Sequence, residues 1–220
     1  VTLVRDDPLH PDPRFAALYQ RLPDATDLWP WLELARAASP PVLYLGVGTG
    51  RLAVPLEAAG IELIGVDSHP DMLEHLRQRV PSIELVEATV ESLQLDRRFD
   101  LVMAPSNILY LVERLRGAAR HVAPGGSVAI ELANPHWLRD GPGDGVRVLD
   151  IDSDQASLEV DYRLADGGVV TQAAQISLVW PEEVENWLAA AGLKLARMFG
   201  ARDCELAESP SFYIIAAPVQ

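Results

Sequence analysis

The chain reads as an α/β protein: a doubly wound, mostly parallel seven-stranded sheet with helices on both faces, plus a small antiparallel β insertion forming a substrate lid. Three observations predict this. Between residues 42 and 134 short continuous apolar runs alternate with amphipathic segments, as in buried parallel strands joined by helices. After Pro135 the runs turn to partial period-two alternation around Asp166-Gly167-Gly168, a hairpin signal. From Pro181 onward helix and apolar strand return.

The elements follow in order. Phe15, Leu18, Tyr19 and Leu22 recur at helical spacing after Asp12 as N-cap and Pro13 at the first helical position. Asp27 opens a second helix that ends before Ser39-Pro40-Pro41. Strands are expected at 42–46, 61–67, 83–88, 99–104 and 127–134, with helices at 50–60, 69–80 and 112–122 between them. The lid takes two or three strands. A helix over 181–192 starts at Pro181, carries acids in its first turn and stops at Gly192. Two last strands complete seven. The expected division is a helical cap over 1–40, a core over 41–135, the lid over 136–180, and a return to the core over 181–220.

Charge and composition exclude several functions. The 220 residues carry a formal net charge of −14, a field that repels a phosphate backbone, so nucleic acid is not an expected partner. The arginines of 97–98 and 114–116 are assigned to solvated surfaces. No apolar run reaches the ~18 residues of a membrane span. The first residues lack a signal-peptide plan, and the chain begins at Val1 rather than Met. A single cysteine, Cys204, allows no internal disulfide and no cysteine-based zinc site, and a cytoplasmic setting is expected. No His/Asp/Glu set has metal-ligand spacing, so no metal is expected.

The chemistry centres on Gly46-Val47-Gly48-Thr49-Gly50, directly after the first core strand. Glycines there let a ligand approach the main chain, and the following helix offers free N–H groups. Glycines alone would also serve tight strand–helix packing. Asp67 decides between the two: it ends the second strand 21 residues after Gly46, where a carboxylate accepts hydrogen bonds from a ribose diol. A dinucleotide fingerprint needs a glycine at position 51, which is Arg51. NAD or FAD is therefore disfavoured.

Residues 42–79, VLYLGVGTGRLAVPLEAAGIELIGVDSHPDMLEHLRQR, resemble the nucleotide-binding region of class I S-adenosylmethionine-dependent methyltransferases. FDLVMAPSNILYL and AARHVAPGGSVAIELANP resemble that family's fourth-strand and fifth-strand segments, so the likeness covers about residues 40–135. It implies S-adenosylmethionine as cofactor. Gly46, Gly48 and Gly50 would lie by its methionine part, Asp67 by the ribose, and Ser68, Met72, Thr89, Val90 and Glu91 around the adenine, with Arg51 a further cofactor contact. Tyr19 would lie over the cofactor, and Ser106 would face it. Asn107, Tyr110 and Trp137 would meet the substrate, with Trp180 a further candidate and Trp29, Trp31 and Trp187 expected in the core. Two departures stand out. Tyr44 replaces the acid usual before the turn, and Ala88-Thr89 replaces the usual Gly-Asp.

Methyl transfer needs alignment of the acceptor more than any fixed acid or base. His136, just past the fifth core strand, is the candidate base if one is used. The expected activity is transfer of a methyl group to an O or N atom of a small molecule, such as a specialised metabolite or sugar, by a monomer or homodimer. The alternative is a non-methylating relative of the same fold, a cyclase or cofactor-binding module.

Overall fold

The computed structural model describes residues 3–6, 13–164 and 166–219. Asp12 and its proposed cap lie outside them. Eleven strands and seven α-helices are present among the described residues, and they form two sheets.

The main sheet begins with β2 (Val42–Leu45), β3 (Leu63–Asp67), β4 (Glu84–Glu87), β5 (Phe99–Ala104) and β6 (Val122–Ala133). The strands β10 (Leu193–Phe199) and β11 (Ser211–Pro218) complete it in the order β10-β11-β6-β5-β2-β3-β4. Only β11 runs against its neighbours. From β2 the chain steps outward to β3 and β4, then returns to lay β5 and β6 on the other side. The carboxyl ends of β2 and β5 thus form the crevice where open α/β sheets bind ligands.

The continuous apolar runs are explained by cover on both faces. Leu43, Leu45, Ile64, Val66, Val102 and Ile130 pack with α5 (Val112–Ala119) and α7 (Val184–Ala189). Their alternates Val42, Tyr44, Leu63, Leu101, Met103 and Ala129 pack with α2 (Trp31–Ala37), α3 (Ala53–Ala58) and α4 (Pro70–Arg79).

The insertion expected as a lid is part of a separate four-stranded sheet. β7 (Val146–Ile151), β8 (Gln155–Arg163) and β9 (Val169–Ser177) form an antiparallel meander, as expected. The fourth strand comes from the chain start: β1 (Leu3–Asp6) pairs in parallel with β9, Leu3 opposite Thr171. The start of the chain is therefore not purely helical. Val4, 2% exposed, packs with Leu18, Leu22, Leu164 and Val170, joining α1 (Pro13–Tyr19) to the lid.

Three boundaries move. The second helix starts at Trp31, because Asp27 accepts the Trp29 N–H at 3.0 Å and holds a turn first. β6 starts at Val122, running through Pro124-Gly125-Gly126 with a register shift against β5. Residues after Asn134, expected as the start of the β insertion, form α6 (Pro135–Asp140), whose first turn is capped by the Asn134 side chain accepting from His136 N at 3.1 Å.

Candidate active site

A cavity of about 1060 Å³ opens over the carboxyl ends of β2 and β5, between the main sheet, α1 and the lid. The glycine turn forms its floor. Asp67 binds that turn across the strand ends: one carboxylate oxygen accepts the Gly48 N–H at 2.8 Å and the other the His69 N–H at 2.9 Å. Burial raises the Asp67 pKa, and the two backbone donors oppose that shift. Arg79 holds the turn from outside, donating to Thr49 O at 3.0 Å while its other nitrogen pairs with Asp24. Arg51 donates to Pro23 O at 2.8 Å and also lines the cavity.

The second wall is the segment after β4, placed by α5. A Cβ on Gly117 would come within 2.3 Å of Val90 O, so the bare glycine lets helix and segment touch. Arg120 donates to Glu91 O at 2.9 Å and Arg114 to the Glu91 carboxylate at 2.8 Å. Arg114 also reaches Ile108 O at 3.3 Å and lies 5.1 Å from the Tyr110 ring centre. The expectation of a solvated side chain is corrected there: Arg114 is 19% exposed and ties three wall segments together.

The third wall follows β5. Ser106 and Asn107 both adopt positive φ, 62° and 61°, and are bonded to β6: Ser106 N–H to the Glu131 carboxylate at 3.0 Å, Asn107 N–H to Glu131 O at 3.1 Å. The Asn107 side-chain oxygen accepts from Ala133 N, and its amide nitrogen is buried without a partner. Tyr19 lines the entrance beside Phe15, with its hydroxyl 3.4 Å from that of Tyr162 in the lid.

The cavity thus gathers Tyr19, Gly46, Gly48, Arg51, Asp67, Ser68, Met72, Thr89, Val90, Glu91, Ser106, Asn107 and Tyr110. Gly50 lies behind the turn against Leu76. Three residues expected as base or substrate contacts are not brought to it. His136 sits on α6 with both ring nitrogens engaged: Arg139 donates to Nδ1 at 3.1 Å, and Nε2, left as the protonated nitrogen, faces Glu182 at 2.7 Å. That arrangement leaves no free base, because α6 turns the ring toward the loop carrying Trp180, 5.0 Å away. Trp137 packs under the lid with Leu138 and Leu158, and Trp180 donates its indole N–H to Ser153 O. Trp31 is in the core as expected, 4% exposed, and also lines the cavity, while Trp29, expected in the core, lines the cavity as well.

One carboxylate that the sequence reading passed over stands out. Glu131 lies near the end of β6, directly opposite Tyr213 of β11, and is half-buried at the cavity floor beside Tyr44. Burial raises its pKa against the Ser106 N–H and the Ser211 and Tyr213 hydroxyls; Glu131 in turn raises the pKa of both Tyr44 and Tyr213, for which burial is the larger cause. A lone Glu in VAIELAN gives only the signal of an interrupted apolar run. Its depth follows from a strand that arrives some 80 residues later.

Among the described residues no group of three or more His, Cys, Asp or Glu side chains could hold a metal ion. No helix among them is long and apolar enough to cross a membrane.

Comparisons with known proteins agree with this geometry. A family model described as a methyltransferase domain matches residues 42–126. The chain is 36% identical over 113 residues to the cypemycin N-terminal methyltransferase of a Streptomyces species, covering 47% of this chain and 46% of that protein. It is 26% identical over 198 residues to the dTDP-3-amino-3,4,6-trideoxy-alpha-D-glucopyranose N,N-dimethyltransferase of Streptomyces venezuelae, covering 76% and 82%. The aligned part spans about half the length of most of the curated relatives matched. The CcbJ methyltransferase structure from Streptomyces caelestis superposes with a TM-score of 0.73 over 94% of this chain and 96% of that one, at 24% identity, which is a likeness of fold. The matched methyltransferase domain thus covers the glycine turn and its partner Asp67, and the chain as a whole shares the fold of known methyltransferase structures.

Proposed function

We propose that the chain transfers a methyl group from S-adenosylmethionine to an O or N atom of a small molecule. The observation that carries this is the union of Asp67 with the Gly48 N–H at the floor of the cavity: a carboxylate and a close-approach turn held together at the strand crossover. The residues fit the cofactor chemically. Five carboxylates line the cavity, Asp27, Asp67, Asp71, Glu91 and Glu131, against the guanidinium groups of Arg51 and Arg114. A sulfonium with an ammonium is cationic, and this lining favours it. The buried, unpartnered Asn107 amide and His69 ring nitrogens leave polar valence for a ligand to satisfy.

The bound cofactor would supply an electrophilic methyl group. The chain's part is binding, alignment and exclusion of water. In this reading Asp67 takes the ribose hydroxyls, and the 88–91 segment, held by α5, flanks the adenine. Tyr19, tied to the lid through Tyr162, closes the acceptor side. No proton step is assigned to His136. The relatives include an N,N-dimethyltransferase of a dTDP-3-amino sugar and the cypemycin N-terminal methyltransferase, which supports an amine among the acceptors. The same reading keeps residues 136–180 as the lid and places a monomer or homodimer in the cytoplasm.

Calorimetry of the chain with S-adenosylhomocysteine and S-adenosylmethionine tests this. Saturable binding, with labelled methyl passed to amine or hydroxyl acceptors, is expected. No heat and no thermal shift at millimolar cofactor would overturn it.

A further inference from the structure

We infer that Glu131, flanked by Tyr44 and Tyr213, forms an ammonium-binding subsite at the floor of the cavity. The inference rests on the reading of the cavity as the cofactor and acceptor site. Among the described residues, no Lys or Arg lies in ion-pair distance of Glu131; its partners are the Ser106 N–H and the Ser211 and Tyr213 hydroxyls. The other cavity carboxylates are engaged or open to water. Glu91 is paired with Arg114, Asp27 accepts from Trp29 N with Arg202 at 3.7 Å, Asp67 holds two backbone N–H groups, and Asp71 is exposed on α4. Glu131 is a half-buried carboxylate that holds the turn after β5 through the Ser106 N–H but has no cation beside it.

Enclosing a charge in this way costs free energy unless a partner arrives. Its surroundings name the partner's chemistry. Tyr44 and Trp31 lie on the same sheet face, and Tyr213 stands opposite Glu131 with Trp29 and Trp31 at 5.4 and 5.9 Å from its ring centre. A carboxylate among aromatic rings suits a compact cation, by charge-assisted hydrogen bonds and by the ring faces. A lipid-like or anionic group would find neither. The position also bears on Tyr44: the strand that would offer an acid beside the turn offers a hydroxyl, and the negative charge stands two strands away at Glu131.

A primary ammonium can come from two sources, the α-amino group of the cofactor or the amine of the acceptor. Calorimetry with three probes separates them. S-adenosylhomocysteine carries the ammonium; its desamino analogue 4-(5′-adenosylthio)butanoate has the same adenosine, thioether and carboxylate without it. Benzylammonium against benzyl alcohol, titrated into protein saturated with S-adenosylhomocysteine, probes the acceptor side. Glu131→Gln is expected to weaken S-adenosylhomocysteine by about 10–100-fold while leaving the desamino analogue unchanged, which assigns the cofactor's ammonium. If both nucleosides bind as before and only benzylammonium weakens, the subsite serves the acceptor's amine. If all three probes are unchanged, or all weaken alike, the subsite is refuted. If the wild-type chain binds no S-adenosylhomocysteine, the cofactor reading itself fails. Should Glu131→Gln not fold, Glu131→Asp keeps the charge on a shorter arm and is expected to lower the same discrimination in part. A ligand-free melting temperature of Glu131→Gln equal to or above that of the wild type would accompany a binding role.

Discussion

Gly50 shows how a single residue divides between shape and chemistry. Its φ is +85°, and a Cβ there would lie 2.4 Å from Leu76 Cδ1 and 3.2 Å from Val54 Cγ2. Gly60 has nearly the same φ, +86°, with nothing within 4 Å. Gly60→Ala should therefore cost only the backbone strain of ~1–2 kcal/mol, whereas Gly50→Ala must also displace a buried leucine and should cost about 2–4 kcal/mol. Urea unfolding of the two variants checks this, and equal costs would contradict the packing argument. The same scale shows what was legible. Asp67 could be found because a strand end, a glycine turn and their spacing are all local in sequence. Glu131 and Arg114 could not, since their burial depends on β11 and on the segment after β4 folding against them.

At the scale of elements, the parallel core was readable because each strand and helix carries its own period. β1 was not, since four residues have no period and the strand exists only through its pairing with β9. That pairing should be measurable. Val4→Ala removes two methyl groups from a side chain 2% exposed and should lower stability by about 1–3 kcal/mol. Leu149→Lys, on β7 and 63% exposed, should leave it within about 0.5 kcal/mol. A urea series that found Val4→Ala neutral would mean that β1 adds no stability to the lid. The expectation for His136 failed at this scale as well. The residue was placed by strand order alone, and α6 rotates it onto Arg139 and Glu182.

For the whole molecule the governing quantity is charge. The formal net charge is −14, and the cavity lining is acidic in the same sense, so a cationic ligand is favoured both on approach and at rest. S-adenosylmethionine carries one more positive charge than S-adenosylhomocysteine. Raising NaCl from about 0.1 M to about 1 M shortens the Debye length from about 10 Å to about 3 Å. The dissociation constant of S-adenosylmethionine should then rise by roughly threefold or more, and that of S-adenosylhomocysteine by clearly less. Equal salt dependence of the two would show that the acidic field does not act on the ligand.

The lid interrupts the main chain between β6 and α7, a place where a cassette of sequence could be exchanged to redirect acceptor choice while the cofactor turn stays untouched. The parallel pairing of β1 with β9 alters that engineering. A transplant of residues 141–177 alone would strip the first strand of its neighbour and loosen α1, which carries Tyr19. The transferable unit is discontinuous: residues 3–22 must travel with the sheet they complete, so in the proposed reading an exchange of acceptor choice draws on two distant stretches of the gene at once.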